Sequence, residues 1–326
     1  MRFINETNHQ ATLVRVSRGQ AGDAAAAVVK STYRIEAGRC LPSPRPHALL
    51  KQPERVHGAV FEPDESLRKL GVDVLVVGAA LGLGPETRWM PVGLDLGGWV
   101  SQVLVFGERQ WRRRGRRWRQ TEPETFSTLP VTWAHAFGGV ATSLGAPIPH
   151  MGNPHGKGYV LEPGPHIDGL SLPNIEDPEH LIGEPEDAPC PFGFSPLPSS
   201  SAIRVEAALD PSRSAGVDAS IFNVAHPRHR LDVVHGKERC RLWGWTGLRD
   251  DEAFEIPRET LELELRVGRV CETLTPQIDT VCIFPEQREL VVTRRATFTY
   301  DYARGVGRVA RLRDRADAST RGRAHG

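Results

Sequence analysis

The sequence lacks several features that would place it in a large class of proteins. Its 326 residues contain 41 lysines and arginines against 40 acidic residues, and a net charge of +1 gives no general attraction to nucleic acid or anionic membranes. No run reaches the roughly 18–20 apolar residues that cross a bilayer, and residues 1–6 lack the apolar core of a secretory signal. We therefore expect a cytoplasmic protein.

Cysteine is scarce and is not spaced for cross-linking or for zinc. The five cysteines are an odd number, and no two of them form a Cys-x-x-Cys pair. Structural zinc sites commonly draw on such pairs. We therefore expect reduced thiols, no disulfide framework, no metal and no other cofactor.

Short apolar segments that end at glycine predict a mainly β protein. The runs at 27–35, 72–78 and 102–107 have the length of one strand and are rich in β-branched residues. Residues 261–267 alternate apolar and polar side chains, which predicts a strand with one buried face. The expected fold is a set of antiparallel sheets forming a sandwich- or barrel-like core, with long ordered loops and little helix.

The middle of the chain differs from both ends in composition. Residues 121–216 hold 15 of the 26 prolines, which exclude long helices and central strands, yet they keep large apolar side chains that a disordered linker lacks. We expect ordered loops over the core of one domain at 1–300, or alternatively a bridge between β lobes at about 1–120 and 217–300. Residues 301–326 carry seven arginines against three acids and are predicted to form a disordered basic tail.

Familiar catalytic and ligand-binding motifs are incomplete. His226 and His229 are separated by two residues, but one of these is Pro227 and no carboxylate completes a metal site. The glycine-rich segment 152–158 does not match a phosphate loop, and no serine stands in a G-x-S-x-G turn. We expect no catalytic residue, and a hydrolase that uses histidines and acids of the middle loops is the alternative.

A basic segment at 109–119, in which tryptophans interrupt a run of arginines, is the sharpest local feature. Three interpretations stay open: a hairpin turning near Gly115 with solvated arginines, a nucleic-acid contact with bases stacked on tryptophan, or a protein-docking edge. Protein docking is our working hypothesis. Its candidate residues are Arg109, Trp111, Arg113, Arg117 and Trp118.

Seven short motifs follow one another along the chain. Four lie at 73–78, 105–111, 222–227 and 278–280. The other three fall in the middle loops, and we expect their residues to shape those loops rather than to perform chemistry. They comprise Phe137, Gly138, Gly139, Asn153, Pro154, Gly156, Gly158, Leu172, Pro173, Asn174, Glu176, Asp177 and Pro178.

In this order the motifs resemble those of the bacterial domain-of-unknown-function 2169 family. The resemblance spans about residues 3–300 and departs at 198–218, where the family usually has a longer segment with a tryptophan. It implies an adaptor that couples a toxic effector to the spike of a type VI secretion system. The expected partners are the effector and spike-tip proteins, with no nucleic acid, membrane or small-molecule substrate; nucleic-acid binding through 109–119 is a second alternative.

Overall fold

A computed structural model of the protein describes residues 1–17, 23–141, 146–209, 221–300 and 307–315. Strands account for 47% of it and helices for 5%. The prediction of a mainly β protein with several antiparallel sheets and little helix is confirmed.

The strands are short except where β-branched and apolar residues form long runs. In chain order the first half comprises β1 (Arg2–Asn5), β2 (Gln10–Ser17), β3 (Asp23–Glu36), β4 (Arg39–Pro42), β5 (Glu54–Val56), β6 (Ala59–Phe61), β7 (Val72–Val76), β8 (Ala79–Leu81), β9 (Trp89–Leu96), β10 (Trp99–Phe106), β11 (Trp111–Arg114), β12 (Arg117–Gln120) and β13 (Thr128–Pro130). The second half comprises β14 (Phe137–Gly138), β15 (Val140–Ala141), β16 (Ile148–Pro149), β17 (Lys157–Gly158), β18 (Ile175–Glu176), β19 (Arg230–Leu231), β20 (Arg239–Trp243), β21 (Ala253–Glu255), β22 (Leu261–Val267), β23 (Val270–Leu274), β24 (Gln277–Phe284), β25 (Glu289–Tyr300) and β26 (Arg308–Asp314).

Helix is confined to short pieces within the described ranges. One α-helix, α1, runs over Ala202–Leu209, and three-residue 3-10 turns cover Trp133–His135, Pro165–Ile167 and Pro227–His229. Two of these turns begin with proline, whose missing N–H is not needed at a helix start. In these ranges no helix combines the length and the apolar character that crossing a membrane requires.

A seven-stranded sheet joins the two ends of the chain. Its order is β19-β7-β24-β25-β3-β2. The seventh strand, β4, pairs with β3 on the same side as β2, past the residues of β3 that pair with β2. The two longest strands, β3 and β25, pair along the whole length of β25. All of its pairs are antiparallel except that of β7 with β24.

A five-stranded sheet packs against one face of the seven-stranded sheet. Its order is β18-β10-β9-β20-β21. Val76 and Ile283 of the larger sheet lie in one buried cluster with Val92, Val105 and Leu242 of the smaller one. Two sheets that share a core face to face give the sandwich-like arrangement that the sequence predicts.

Both large sheets take strands from both ends of the chain. The seven-stranded sheet combines β2, β3, β4 and β7 with β19, β24 and β25, and the five-stranded sheet combines β9 and β10 with β20 and β21. Among the described residues, strands from 1–120 and from 221–300 therefore interleave in both sheets. The middle segment contributes mainly loops and strands of two or three residues, as its proline content predicts.

A third sheet, of order β1-β26-β22-β23, packs on the ends of β3 and β25. Its inner strand β26 corrects the prediction of a disordered tail. Ala310 and Leu312 are fully buried in a cluster that includes Ala27 and Phe298. The rest of the predicted tail, 301–306 and 316–326, lies outside the described residues.

The arginines of β26 explain why its composition was misleading. Arg313 lies opposite Glu262 of β22 in the ladder, and its guanidinium is 3.4 Å from the carboxylates of both Glu262 and Glu264. Cross-strand pairs of opposite charge stabilise a sheet. A basic segment poor in large apolar residues is ordered here because an acidic strand faces it.

Candidate functional site

The basic segment forms a two-stranded hairpin of β11 and β12. Gly115 turns the chain with a φ of 64°, a left-handed conformation that costs glycine little. Arg112 lies directly opposite Arg119, and Arg114 lies opposite Arg117. Because opposite residues point to the same side of a ladder, these four arginines share one face of the hairpin. We call this the arginine face.

The arginine face has no acidic counterpart within the part of the chain that the structure describes. All four of its side chains are exposed, and none of them takes part in an ion pair there. Like charges placed directly opposite one another destabilise a ladder. An acidic surface docked on this face would remove that repulsion.

Trp111 anchors the hairpin from below. It is 1% exposed and packs with Phe137, Leu172 and Ile182, while Trp118 packs at the edge of the same cluster. The Trp111 backbone N–H donates to the Leu170 carbonyl at 3.0 Å. Trp111 is therefore a core residue, and the prediction that it contacts a partner is wrong.

Arg109 is also buried, so its predicted docking role is wrong as well. It is 5% exposed and forms an ion pair with Glu176, which is 3% exposed. Its guanidinium also donates to the Pro173 carbonyl at 2.8 Å and lies 3.9 Å from the Phe106 ring centroid. The second carboxylate oxygen of Glu176 accepts from the Ile182 N–H at 2.9 Å. This pair joins two of the sequence motifs inside the protein.

Arg113, Arg117 and Trp118 remain candidate docking residues. Arg113 and Arg117 are exposed and Trp118 is half-buried. Sequence reasoning missed Arg112, Arg114 and Arg119 as members of one face, because the face depends on the hairpin register and the run of arginines does not reveal which residues lie opposite one another.

The glycine signature beneath the hairpin is a point of very close backbone approach. Gly139 has a φ of 99°, and a Cβ there would lie 2.5 Å from the Gly156 carbonyl oxygen. At Gly138 a Cβ would lie 2.1 Å from the Asn153 carbonyl oxygen. The Asn153 side-chain amide donates to the Trp133 and Phe137 carbonyls at 2.7 and 3.0 Å. These contacts support the interpretation that the signature shapes the loops.

The remaining signature residues have similar surroundings. The Asn174 side chain donates to the Phe106 carbonyl at 3.0 Å, and a Cβ at Gly158 would lie 2.7 Å from Pro173. The half-buried positions among them are Pro154, Gly156, Gly158 and Pro178.

Asp177 ties the last of these motifs to the segment after residue 222. Its carboxylate pairs with Arg228 and accepts from His180 Nδ1 at 3.0 Å and from the Glu179 N–H at 3.2 Å. Burial alone would raise the pKa of Asp177, but these hydrogen bonds and the Arg228 charge outweigh it and lower the pKa. The group is a structural anion at neutral pH.

Three other motifs meet at Asp73, which is completely buried. Its carboxylate accepts from Lys69 Nζ, from the Asn223 side chain and from the Val224 N–H, each at 2.9 Å. Lys69 also donates to Thr280 Oγ1 at 2.9 Å. Burial would raise the pKa of Asp73, but the Lys69 charge and these hydrogen bonds hold it below its ordinary value.

A cavity of about 150 Å³ lies beside this network, between segment 43–71 and the seven-stranded sheet. That is the size of an engineered cavity that holds benzene. Its lining cations are already paired, Lys30 with Asp64 and Arg295 with Asp279. These charged groups at the cavity wall are therefore already neutralised, and apolar side chains form other parts of the wall.

The middle-loop histidines of the hydrolase alternative, at 135, 150, 155 and 166, are half-buried or exposed. The closely spaced His226 and His229, by contrast, are packed as core side chains. His229 is fully buried, stacks on Phe194 at 4.5 Å and has Nε2 2.8 Å from Ser101 Oγ. His226 Nδ1 accepts from the Arg228 N–H, which places its proton on Nε2, 3.9 Å from Cys190 Sγ. Burial, with the charges of Arg228 and a neighbouring arginine, lowers the pKa of His226 to about 4.

Cys190 does not have the surroundings of an activated thiol. Burial and nearby carboxylates raise its pKa, whereas reactive cysteines have a lowered one. The His226 proton also points toward the sulfur, so the imidazole is not placed as its base. We derive no catalytic step from this pair.

Comparison with known proteins places the chain in one family. Searches of curated proteins and of solved structures found no match. A family profile described as "Uncharacterized protein conserved in bacteria (DUF2169)" matches residues 20–295. Because that range covers most of the 326 residues, the chain belongs to the domain-of-unknown-function 2169 family.

Proposed function

We propose that this protein is a cytoplasmic adaptor that binds a type VI secretion effector and helps to load it onto the spike. In this proposal it acts by binding and not as an enzyme. Its partners are the effector and spike-tip proteins. Membership of the family, together with the role that the motif resemblance implies, supports this assignment over the other classes.

The observation that carries the docking hypothesis is the unneutralised arginine face. Arginine offers planar, multidentate hydrogen bonding to carboxylates. Trp118 lies opposite Arg113 on the other face of the hairpin, where it packs against the Trp111 cluster. The buried Trp111 holds the hairpin in place, so that little ordering is needed on binding. The partner surface is therefore expected to be acidic.

Affinity capture from the native host tests the proposal. The tagged wild-type chain should retain a secretion effector or a spike protein, identified by mass spectrometry. The Arg114→Glu/Arg117→Glu chain should retain at least tenfold less. The matched control is Arg39→Glu/Arg269→Glu, which makes the same charge change at two exposed arginines elsewhere and should capture like the wild type.

Two outcomes would contradict the proposal. Capture of neither an effector nor a spike protein by the wild type would remove the adaptor role. Equal capture by the wild type and by Arg114→Glu/Arg117→Glu would remove the arginine face from it.

Nucleic-acid binding by the same hairpin is the competing function. It would appear as sub-micromolar binding of random-sequence oligonucleotides that weakens steeply with salt, because phosphate contacts release condensed counterions. We expect negligible binding near physiological salt by fluorescence anisotropy, because the whole chain carries only +1.

A further inference from the structure

Three potential metal ligands from separate segments meet above Phe284. His47 comes from the segment after β4, His57 from the turn between β5 and β6, and Glu289 from the start of β25. Their ligand atoms all lie within 4.8 Å of one another. His47 Nε2 and Glu289 Oε2 are 2.9 Å apart.

Phe284 holds both imidazole rings. The His47 ring stacks on it, with 5.3 Å between centroids and an interplanar angle of 6°. The His57 ring lies 4.9 Å from the same phenyl ring. Phe284 itself is 2% exposed, so a fixed apolar floor orients the two histidines toward each other.

His57 adopts an unusual backbone conformation for a residue with a side chain. Its φ is 47°, and the following Gly58 has a φ of 88°, so both residues of this hairpin turn are left-handed. Such two-residue turns favour Asn-Gly or Asp-Gly. Here a histidine occupies the first position, and its ring is brought beside His47.

The three side chains are partly exposed, and there is space beside them for an ion. The Glu289 carboxylate is 19% exposed and the His47 side chain 21%, and His57 is exposed. The cavity of about 150 Å³ that His47 and Phe284 help to line begins beside the group.

We propose that His47, His57 and Glu289 form a binding site for a divalent transition-metal ion, with Zn²⁺ as the best fit. Two imidazoles and one carboxylate are a donor set that zinc takes with a fourth position open, and imidazole selects against Mg²⁺ and Ca²⁺. Ligand atoms about 2.1 Å from a tetrahedral ion lie about 3.4 Å apart. The exposed His57 ring would therefore close over the His47–Glu289 pair on binding.

In a second group of similar composition, an arginine side chain already pairs with the carboxylates. Asp177, Glu179 and His180 also bring their ligand atoms within 4.8 Å. There, however, the Arg228 guanidinium pairs with both carboxylates. No such cation pairs with Glu289 within the described ranges, so the two groups provide a matched comparison.

No sequence pattern indicates this site. His47 and Glu289 are far apart in the chain, and only the pairing of β25 with β3 and the fold of segment 43–61 bring them together. Spacing motifs detect ligands on one helix or one loop. Such motifs do not detect a site whose three ligands come from three separate segments.

Isothermal titration of the chelator-treated full chain with ZnCl₂ tests the proposal. We expect one Zn²⁺ per chain. His57→Asn should lower the affinity at least tenfold while preserving the turn, since Asn suits its first position. His180→Asn, in the group that Arg228 occupies, should bind like the wild type.

Cobalt substitution gives a second readout of the ligand geometry. The wild type loaded with Co²⁺ should show the visible absorption of a tetrahedral site, and His57→Asn should lose it. Absence of stoichiometric Zn²⁺ binding by the wild type would overturn the proposal. So would equal affinity in His57→Asn, or an equal loss in His180→Asn.

Discussion

At the scale of single residues, the motif residues mainly neutralise buried charges and allow two backbone segments to approach closely inside the protein. Asp73 shows this most clearly. Its carboxylate is fully buried and receives hydrogen bonds from Lys69, Asn223 and Val224. A buried ion pair is strongly destabilised when one partner loses its charge, because the other charge remains buried without compensation.

Asp73→Asn should therefore lower the free energy of unfolding by about 3–5 kcal/mol. Urea denaturation followed by circular dichroism measures this. Asp251→Asn is the control, because its pair with Arg249 is largely exposed and should change stability little. If the two variants are equally stable, the Asp73 network does not stabilise the fold.

Gly139→Val tests the loop-shaping role of the glycine signature. A Cβ at Gly139 would meet the Gly156 carbonyl oxygen at 2.5 Å, whereas one at Gly98, which has a φ of 91°, would meet nothing within 4 Å. Both substitutions carry the backbone strain of about 1–3 kcal/mol. Gly139→Val should lose clearly more stability than Gly98→Val in the same urea experiment, and equal losses would show that the close approach does not matter.

His226 predicts a defined acid sensitivity. Its pKa is lowered from 6.5 to about 4 in the folded protein. Between these pH values the unfolded chain binds a proton that the folded chain does not, so stability falls as the pH drops from about 6.5 to about 4, by up to about 3 kcal/mol.

Melting temperatures measured across this pH range check the His226 prediction. His226→Asn keeps a side-chain acceptor for the Arg228 N–H but cannot titrate. It should flatten the pH dependence without abolishing it, because the buried His229 also has a lowered pKa. An unchanged slope would contradict the assignment to His226.

At the scale of elements, β26 contributes to a core that composition alone did not predict. It lies between β1 and β22, and it buries Ala310 and Leu312. A chain that ends after Gly307 should lose this sheet's inner strand and melt at a much lower temperature than a chain that ends after Arg315. If both melt together, β26 is dispensable.

At the scale of the whole molecule, local pattern predicted strands but not their partners. The run at 27–35 falls in β3, and the first five residues of the run at 72–78 form β7, because β-branched residues suit a pleated, half-buried surface. No local signal pairs β3 with β25 or sets β7 parallel to β24. Those pairings depend on burial between segments that are distant in the sequence.

The candidate site could likewise be predicted only in part, because its contacts also join segments that are distant in the sequence. The sequence marked the basic hairpin and its turn, since six arginines around Gly115 are visible in the chain itself. It could not separate the buried Arg109 and Trp111 from the exposed residues. That distinction arises from Glu176, Leu172 and Ile182, which reach the hairpin only in the folded protein.

The most direct test of the adaptor proposal is photo-crosslinking in the native host. A benzophenone amino acid replaces Arg114 or Arg117 in the arginine face, and replaces Arg269 in a control chain. The proposal predicts adducts with a secretion effector or spike protein from the first two positions and none from the third. Adducts with neither protein at Arg114 and Arg117, or equal adducts at Arg269, would contradict it.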